Sequence, residues 1–287
     1  MLVDKSVTIA DLVEAKQKAQ KIAAVSCYDY TTARLVAAAG AEMILVGDSA
    51  AQIMLGYDST LPATMDFMVA ITAAVHRAAP NLCLAADMPF LSYHVGLADA
   101  ISNAGRFVKE AVAQLIKIEA TAAHLNVIKA VSDAGMAVMA HIGIRPQSIT
   151  KSGKLKAEGT TADVAFDLIT LADAMIKAGA SAILLEGTAR EVAKIITQRV
   201  SVPVIGCGSG PDCDGQILIV SDILGLSHGP VPKFSKSYGD LESATIKGIT
   251  AYTQEVHRGR FPDDQHSYHI KSGQFEKLQQ MLQTLTP

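Results

Sequence analysis

Four carboxylates, a lysine and a histidine stand in or just beyond short apolar runs of this chain. Asp48 follows residues 43–46, Asp87 follows 82–86, Lys117 and Glu119 belong to the run at 115–118, His141 follows 137–140 and Glu186 follows 182–185. Carboxylates gathered in one place repel one another and resist losing water unless a cation joins them. The pattern therefore points to a divalent metal. Mg²⁺ favours oxygen, takes one or two protein carboxylates and leaves its other positions to water and substrate oxygens. Asp48 and Asp87 are expected as direct ligands, with Glu119 as a third, direct or through water. Any one of them alone could instead cap a following helix, but three on consecutive runs weaken that alternative.

Glu186 lies on a run that is not next to the Asp48 and Asp87 pair, which suits a base. An α-keto acid that chelates a metal through its carboxylate and keto oxygens has an acidified carbon beside the keto group, and a carboxylate opposite could take that proton. A solvated strand-end glutamate is the competing reading. Lys117 alternates with Glu119, so both project into one mouth if Ile116 and Ile118 face outward. The lysine is expected to pair with a substrate carboxylate or, equally, with Glu119 or a neighbour. His141 is expected to bind the keto oxygen or enolate, although a satisfied structural histidine fits as well. Gly206-Cys207-Gly208-Ser209-Gly210 fits either a backbone anion site or a tight turn.

These side chains meet only if their runs are parallel strands of one sheet. A unit of Ala-rich helix, Ala-Gly, apolar run and polar residue recurs at Ala39-Gly40, Ala134-Gly135 and Ala178-Gly179. Glycine supplies the helix stop, and the run after it reads as a strand buried on both faces. Eight strands are predicted, at 22–27, 43–46, 82–86, 115–118, 137–140, 182–185, 202–205 and 216–220. Helical patterns separate most of them, as after Thr161, where Val164, Leu168, Leu171 and Met175 share a stripe.

Eight alternations close a (β/α)8 TIM barrel, and 287 residues lie near the ~250 typical of it. The rival is a doubly wound open sheet, which the absence of Gly-x-Gly-x-x-Gly after the first strand weakens. An N-terminal capped helix from Thr8 to Gln17 is expected to cover the base. A C-terminal helical tail carries Phe275, Leu278, Met281, Leu282 and Leu285 on one stripe, for docking on its own body or on a neighbouring subunit. The predicted division is one barrel domain, including that capping helix, over residues 1–262 and a tail over 263–287.

With 25 basic against 28 acidic residues the net charge is −3, so no global field gathers nucleic acid or anionic lipid, and a small-molecule substrate is expected. The four cysteines, Cys27, Cys83, Cys207 and Cys213, lack paired metal spacing and fit a reducing cytoplasm. No uncharged apolar run reaches the ~18 residues of a membrane span, so neither secretion nor insertion is expected.

The chain also resembles the ketopantoate hydroxymethyltransferase family from about Lys21 to His266. The likeness is carried by Val46-Gly47-Asp48-Ser49, Leu55-Gly56-Tyr57-Asp58-Ser59-Thr60-Leu61-Pro62, Ala86-Asp87-Met88-Pro89-Phe90, His141-Ile142-Gly143, Pro146-Gln147-Ser148 and Asp212-x-Asp214-Gly215-Gln216. It implies a cytoplasmic, Mg²⁺-dependent transferase of pantothenate synthesis that moves a one-carbon unit from 5,10-methylenetetrahydrofolate to 3-methyl-2-oxobutanoate. By the same resemblance Asp48, Asp87 and Glu119 match metal positions, Ser49 and Lys117 match substrate contacts, and Glu186 matches the proton acceptor. The family assembles as rings, often decamers, which implies a homo-oligomer. The chain departs from the family pattern at Ala50-Ala51, Ala120-Thr121, Arg145, Gly187-Thr188 and Ser221, all around the rim. A relative of phosphoenolpyruvate mutase and isocitrate lyase is the alternative enzyme, although the lysine-cysteine-glycine-histidine loop of the lyases is missing. A non-catalytic keto-acid-binding barrel is the remaining possibility.

Overall fold

The computed structural model describes residues 6–227 and 232–285. Its strands β1 (Ile22–Ser26), β2 (Met43–Val46), β3 (Cys83–Asp87), β4 (Leu115–Glu119), β5 (Val138–Gly143), β6 (Ala180–Glu186), β7 (Val204–Cys207) and β8 (Gly215–Ile219) pair in parallel, each with the next, and β8 returns to β1 to close a barrel. Each of the eight predicted strands is present, within three residues at either end. The doubly wound alternative is excluded by the closure.

Around the strands run α1 (Ile9–Gln17), α2 (Tyr30–Ala38), α3 (Ala50–Ile53), α4 (Met65–Ala78), α5 (Leu97–Ala111), α6 (Leu125–Asp133), α7 (Ile149–Ser152), α8 (Ala162–Lys177), α9 (Arg190–Arg199) and α10 (Val220–Leu224). In α8, Leu168 and Met175 are buried as the periodicity predicts, whereas Val164, in its first turn, is exposed.

Strand alternation sorts the side chains into two apolar layers. Leu45, Ala85, Leu115, Met139 and Leu184 fill the barrel interior, while Ile44, Ala86, Ile116, Ile118, Ala140 and Leu185 pack outward with the helices. Two residues further along the inward-facing series, at the C-terminal ends, the apolar side chains give way to Asp87, Lys117, His141 and Glu186. The interior of such a barrel is a packed core, so a polar layer appears only where the strands end.

The opposite end is sealed by α1. Thr8 and Asp11 form a capping box, with the Asp11 N–H donating to Thr8 Oγ1 at 3.4 Å and the Thr8 N–H donating to Asp11 Oδ2 at 2.8 Å. Leu12 and Val7 join the interior cluster from below. Lys16 Nζ reaches Asp214 Oδ2 at 2.6 Å and the Thr197 carbonyl at 2.8 Å, and the same Asp214 oxygen accepts from the Val204 N–H at 2.8 Å. The Asp212-x-Asp214-Gly215 motif thus belongs in part to the base of the barrel, where side chains ordinarily serve stability rather than chemistry.

The chain falls into two compact units, one of residues up to 223 with 227–236, the other of 224–226 with 237 onward. The second holds α11 (Leu241–His257), capped by Asp240 through the Ser243 N–H, and α12 (Gln274–Leu282). Phe275, Leu278, Met281, Leu282 and Leu285 are all exposed in the single chain. Among the described residues no helix is long and apolar enough to cross a membrane.

Candidate active site

A cleft of about 210 Å³ opens at the C-terminal ends of the strands, and its polar lining includes Asp48, Ser49, Thr60, Asp87, Lys117, His141 and Glu186. Leu45, Leu184, Ile217 and Ile219 make its apolar part, with Leu155 and Phe234 also on its wall. Six of the seven side chains expected at the site therefore meet in one place. Glu119 does not line this cleft.

The Gly47-Asp48-Ser49 turn leaves β2 so that the Asp48 backbone N–H donates to Asp87 Oδ2 at 3.1 Å. Lys117, directly across from Asp87 in the β3–β4 register, places its ammonium on the same carboxylate oxygen. The lysine thus pairs with Asp87 rather than Glu119. Asp87 Oδ1 is buried and, among the described residues, has no hydrogen-bond partner. Burial pushes the Asp87 carboxyl well above the ordinary carboxylate range, opposed by Lys117 and reinforced by the charge of Asp48. Burial acts to lower Lys117, but the carboxylates of Asp87 and Asp48 hold it above the ordinary lysine value, so the group stays an ammonium.

Ser49 Oγ lies 2.8 Å from the hydroxyl of Tyr28, a buried residue just beyond β1. Burial, against the pull of that hydrogen bond, raises the Tyr28 phenol beyond its ordinary value, so it remains neutral. Tyr28 carries no sequence signal, and it was not anticipated. Nor was Thr60, buried on the cleft wall with a hydroxyl that has no partner among the described residues.

Glu119 turns the other way. Its Oε2 accepts from the Gln147 N–H at 2.9 Å and its Oε1 from the Ser148 hydroxyl at 3.1 Å, so both oxygens hold the 3₁₀ turn Pro146–Ser148. Burial raises its pKa, and His141 and the Gln147 N–H pull it back.

Glu186, at the end of β6, keeps 20% of its side chain exposed, against 1% for His141. His141 Nε2 lies 3.2 Å from Glu186 Oε2, close enough for an ion pair but without hydrogen-bond alignment, and neither ring nitrogen has another partner among the described residues. The backbone around Glu186 is tightly braced. The Ile144 N–H donates to the Glu186 carbonyl at 2.9 Å, and Glu158 pairs its own backbone with Gly187 and Ala189. Gly143 sits at φ +94° where an added Cβ would lie 2.2 Å from the Glu186 carbonyl oxygen, so only glycine fits. Arg145, one of the departures, reaches Glu158 at 3.1 Å and ties this loop down.

The Gly206–Gly210 run serves as a turn. Ser209 is fully buried, donating to the Leu185 carbonyl at 2.7 Å and accepting from the Thr188 N–H at 3.1 Å. The Phe234 ring covers Gly208, leaving no room there for a Cβ.

Among the described residues no three His, Cys, Asp or Glu side chains converge closely enough to hold an ion by themselves. Asp48 and Asp87 offer two carboxylates and one unpartnered buried oxygen at the cleft. That donor set suits a hard cation whose remaining ligands are substrate and water, and does not suit a closed structural metal site.

A profile of the family described as ketopantoate hydroxymethyltransferase matches residues 6–264. A 3-methyl-2-oxobutanoate hydroxymethyltransferase from Koribacter versatilis is 46% identical over 92% of this chain and 90% of its own. One from Hyperthermus butylicus is 44% identical over 97% and 96%. Among solved structures, a 2,3-dimethylmalate lyase described as a member of the PEP mutase/isocitrate lyase superfamily superposes with a TM-score of 0.58 at 17% identity, covering 96% and 98% of the two chains. A phosphonopyruvate hydrolase complexed with oxalate and Mg²⁺ does so with 0.58 at 13%, covering 95% of each. At these identities the structural likeness speaks for the barrel alone. From the length and identity of the sequence matches, the chain belongs to the ketopantoate hydroxymethyltransferase family and is a hydroxymethyltransferase.

Proposed function

We propose that the chain transfers a one-carbon unit from 5,10-methylenetetrahydrofolate to 3-methyl-2-oxobutanoate, giving 2-dehydropantoate, in a reaction that needs Mg²⁺. The observation that carries this reading is the cleft that Asp48, Asp87, Lys117, His141 and Glu186 line together with the apolar side chains of Leu45, Leu184, Ile217 and Ile219. Asp48 and Asp87 would hold the cation. When bound, it supplies positive charge against the enolate that forms from the keto acid, the largest stabilising effect in reactions of this kind.

The remaining work falls to the chain. Lys117, Ser49 and His141 contact the carboxylate and keto oxygens, and the apolar wall takes the branched alkyl group. Glu186 removes the proton from C3. The carbon so freed bonds to the methylene carbon of the donor, both bonds from that carbon to the two folate nitrogens break, water supplies the hydroxyl, and the two freed nitrogens take up protons equivalent to those lost from C3 and from the water. Partial exposure of Glu186 lets it release its proton to solvent between turnovers. Glu119 acts at one remove, through the turn at Pro146–Ser148. A cytoplasmic setting and assembly as a homo-oligomer belong to the same proposal.

Purified protein incubated with the keto acid and methylenetetrahydrofolate is expected to form 2-dehydropantoate, with activity lost on EDTA and restored by excess Mg²⁺. Consumption of the keto acid at the same rate without folate would overturn the reading in favour of a lyase. Binding of the keto acid without turnover would overturn it in favour of a binding protein.

A further inference from the structure

Pro146-Gln147-Ser148 is a motif whose middle residue has no part in the chemistry above, yet Gln147 is almost wholly buried. Its Nε2 donates to Asp48 Oδ2 at 2.9 Å and to the Met88 carbonyl at 3.0 Å, and its Oε1 accepts from the Tyr93 hydroxyl at 2.6 Å. Its backbone N–H is the one held by Glu119. One residue, by its side chain and its backbone N–H, thus ties together the ends of β2, β3 and β4.

The direction of the amide follows from its surroundings. A carboxylate and a backbone carbonyl can only accept, so the NH₂ must face them, and the hydroxyl of Tyr93 then finds the amide oxygen. Tyr93 is itself buried, and its hydroxyl also lies 3.0 Å from the Glu119 carbonyl. Deep burial raises its phenol far above the ordinary tyrosine range, so this O–H stays protonated as a donor. With one Asp48 oxygen fixed by the amide, rotation of that carboxylate is stopped.

We propose that Gln147, locked by Tyr93, is a positioning residue that orients Asp48 for the divalent cation. The inference rests on the reading that Asp48 helps hold that cation. Partners in such outer positions set the direction of the ligand, and losing one commonly weakens metal affinity about 10- to 100-fold. Gln147→Met keeps the length and bulk of the side chain and removes both donors.

The experiment is a Mn²⁺ titration followed by electron paramagnetic resonance of the free ion, on wild type, Gln147→Met and Tyr93→Phe, with thermal midpoints measured alongside. The expected result is one site in wild type, about 10- to 100-fold weaker binding in Gln147→Met, and an intermediate loss in Tyr93→Phe. Equal Mn²⁺ affinity in Gln147→Met and wild type, whatever the thermal midpoints, overturns the inference and leaves the metal reading standing. If Gln147→Met does not fold, unchanged affinity in a folded Tyr93→Phe overturns it instead. Failure of wild type to bind Mn²⁺ at all contradicts both.

Discussion

Replacing Glu186 by glutamine is expected to lower the rate of deuterium uptake at C3 of 3-methyl-2-oxobutanoate by about 10²- to 10⁴-fold, the range over which a positioned base accelerates proton transfer. The amide has the same shape and cannot take the proton. Asp48 lies just beyond β2, Asp87 ends β3 and Lys117 is on β4, all apart from β6, so affinity for the keto acid should change little. The assay is proton NMR in D₂O without folate, which isolates the abstraction from the carbon transfer that follows. His141, 3.2 Å from the carboxylate, is the other group within reach. Exchange at the wild-type rate in Glu186→Gln would remove Glu186 from the role and pass it to that imidazole.

Asp87→Ala should do damage of two kinds. The aspartate is fully buried and carries the Lys117 ammonium, whose side chain is 7% exposed. Removing one partner of a buried pair leaves an uncompensated charge, at a cost of about 3–5 kcal/mol. Urea unfolding should register that loss. The same substitution takes away the oxygen that has no partner among the described residues, so Mg²⁺-dependent activity should fall to background. Asp87→Asn separates the two effects, since it keeps the volume and a hydrogen-bond acceptor for the lysine while lowering the negative charge on the cation. Full activity in Asp87→Asn would be inconsistent with a metal held there.

How much of this was legible in the sequence depends on the range of the interaction concerned. Strand ends were readable because burial on both faces of a parallel sheet demands unbroken apolar runs, and the first polar residue marks the rim. Alternation then sorts which side chains point inward, which holds for Lys117 on β4, whereas Glu119 turns away from the cleft. What they touch was harder to foresee. Lys117 chose Asp87 because the β3–β4 register sets them side by side, a contact that no spacing along the chain specifies.

Glu119 was expected beside the metal positions, yet its carboxylate is spent on a turn 28 residues later. The partner of that turn, Gln147, is neutral and bonds to Asp48 across 99 residues, so neither charge nor periodicity announced it. The glycine-rich run after β7 was ambiguous for a similar reason, because Ser209 is directed inward by contacts with β6 that a local reading does not contain. The expected division at residue 262 rested on a change in pattern, whereas compactness groups residues 237–262 with the tail.

A crystal grown with Mn²⁺ and 3-methyl-2-oxobutanoate, with anomalous data collected near the manganese edge, would decide whether these side chains serve one reaction centre. The expected map has a single strong peak in contact with Asp48 and Asp87, the keto acid on the same ion, and C3 within reach of Glu186. A peak elsewhere on the chain, or a keto acid bound with C3 turned away from Glu186, would contradict it.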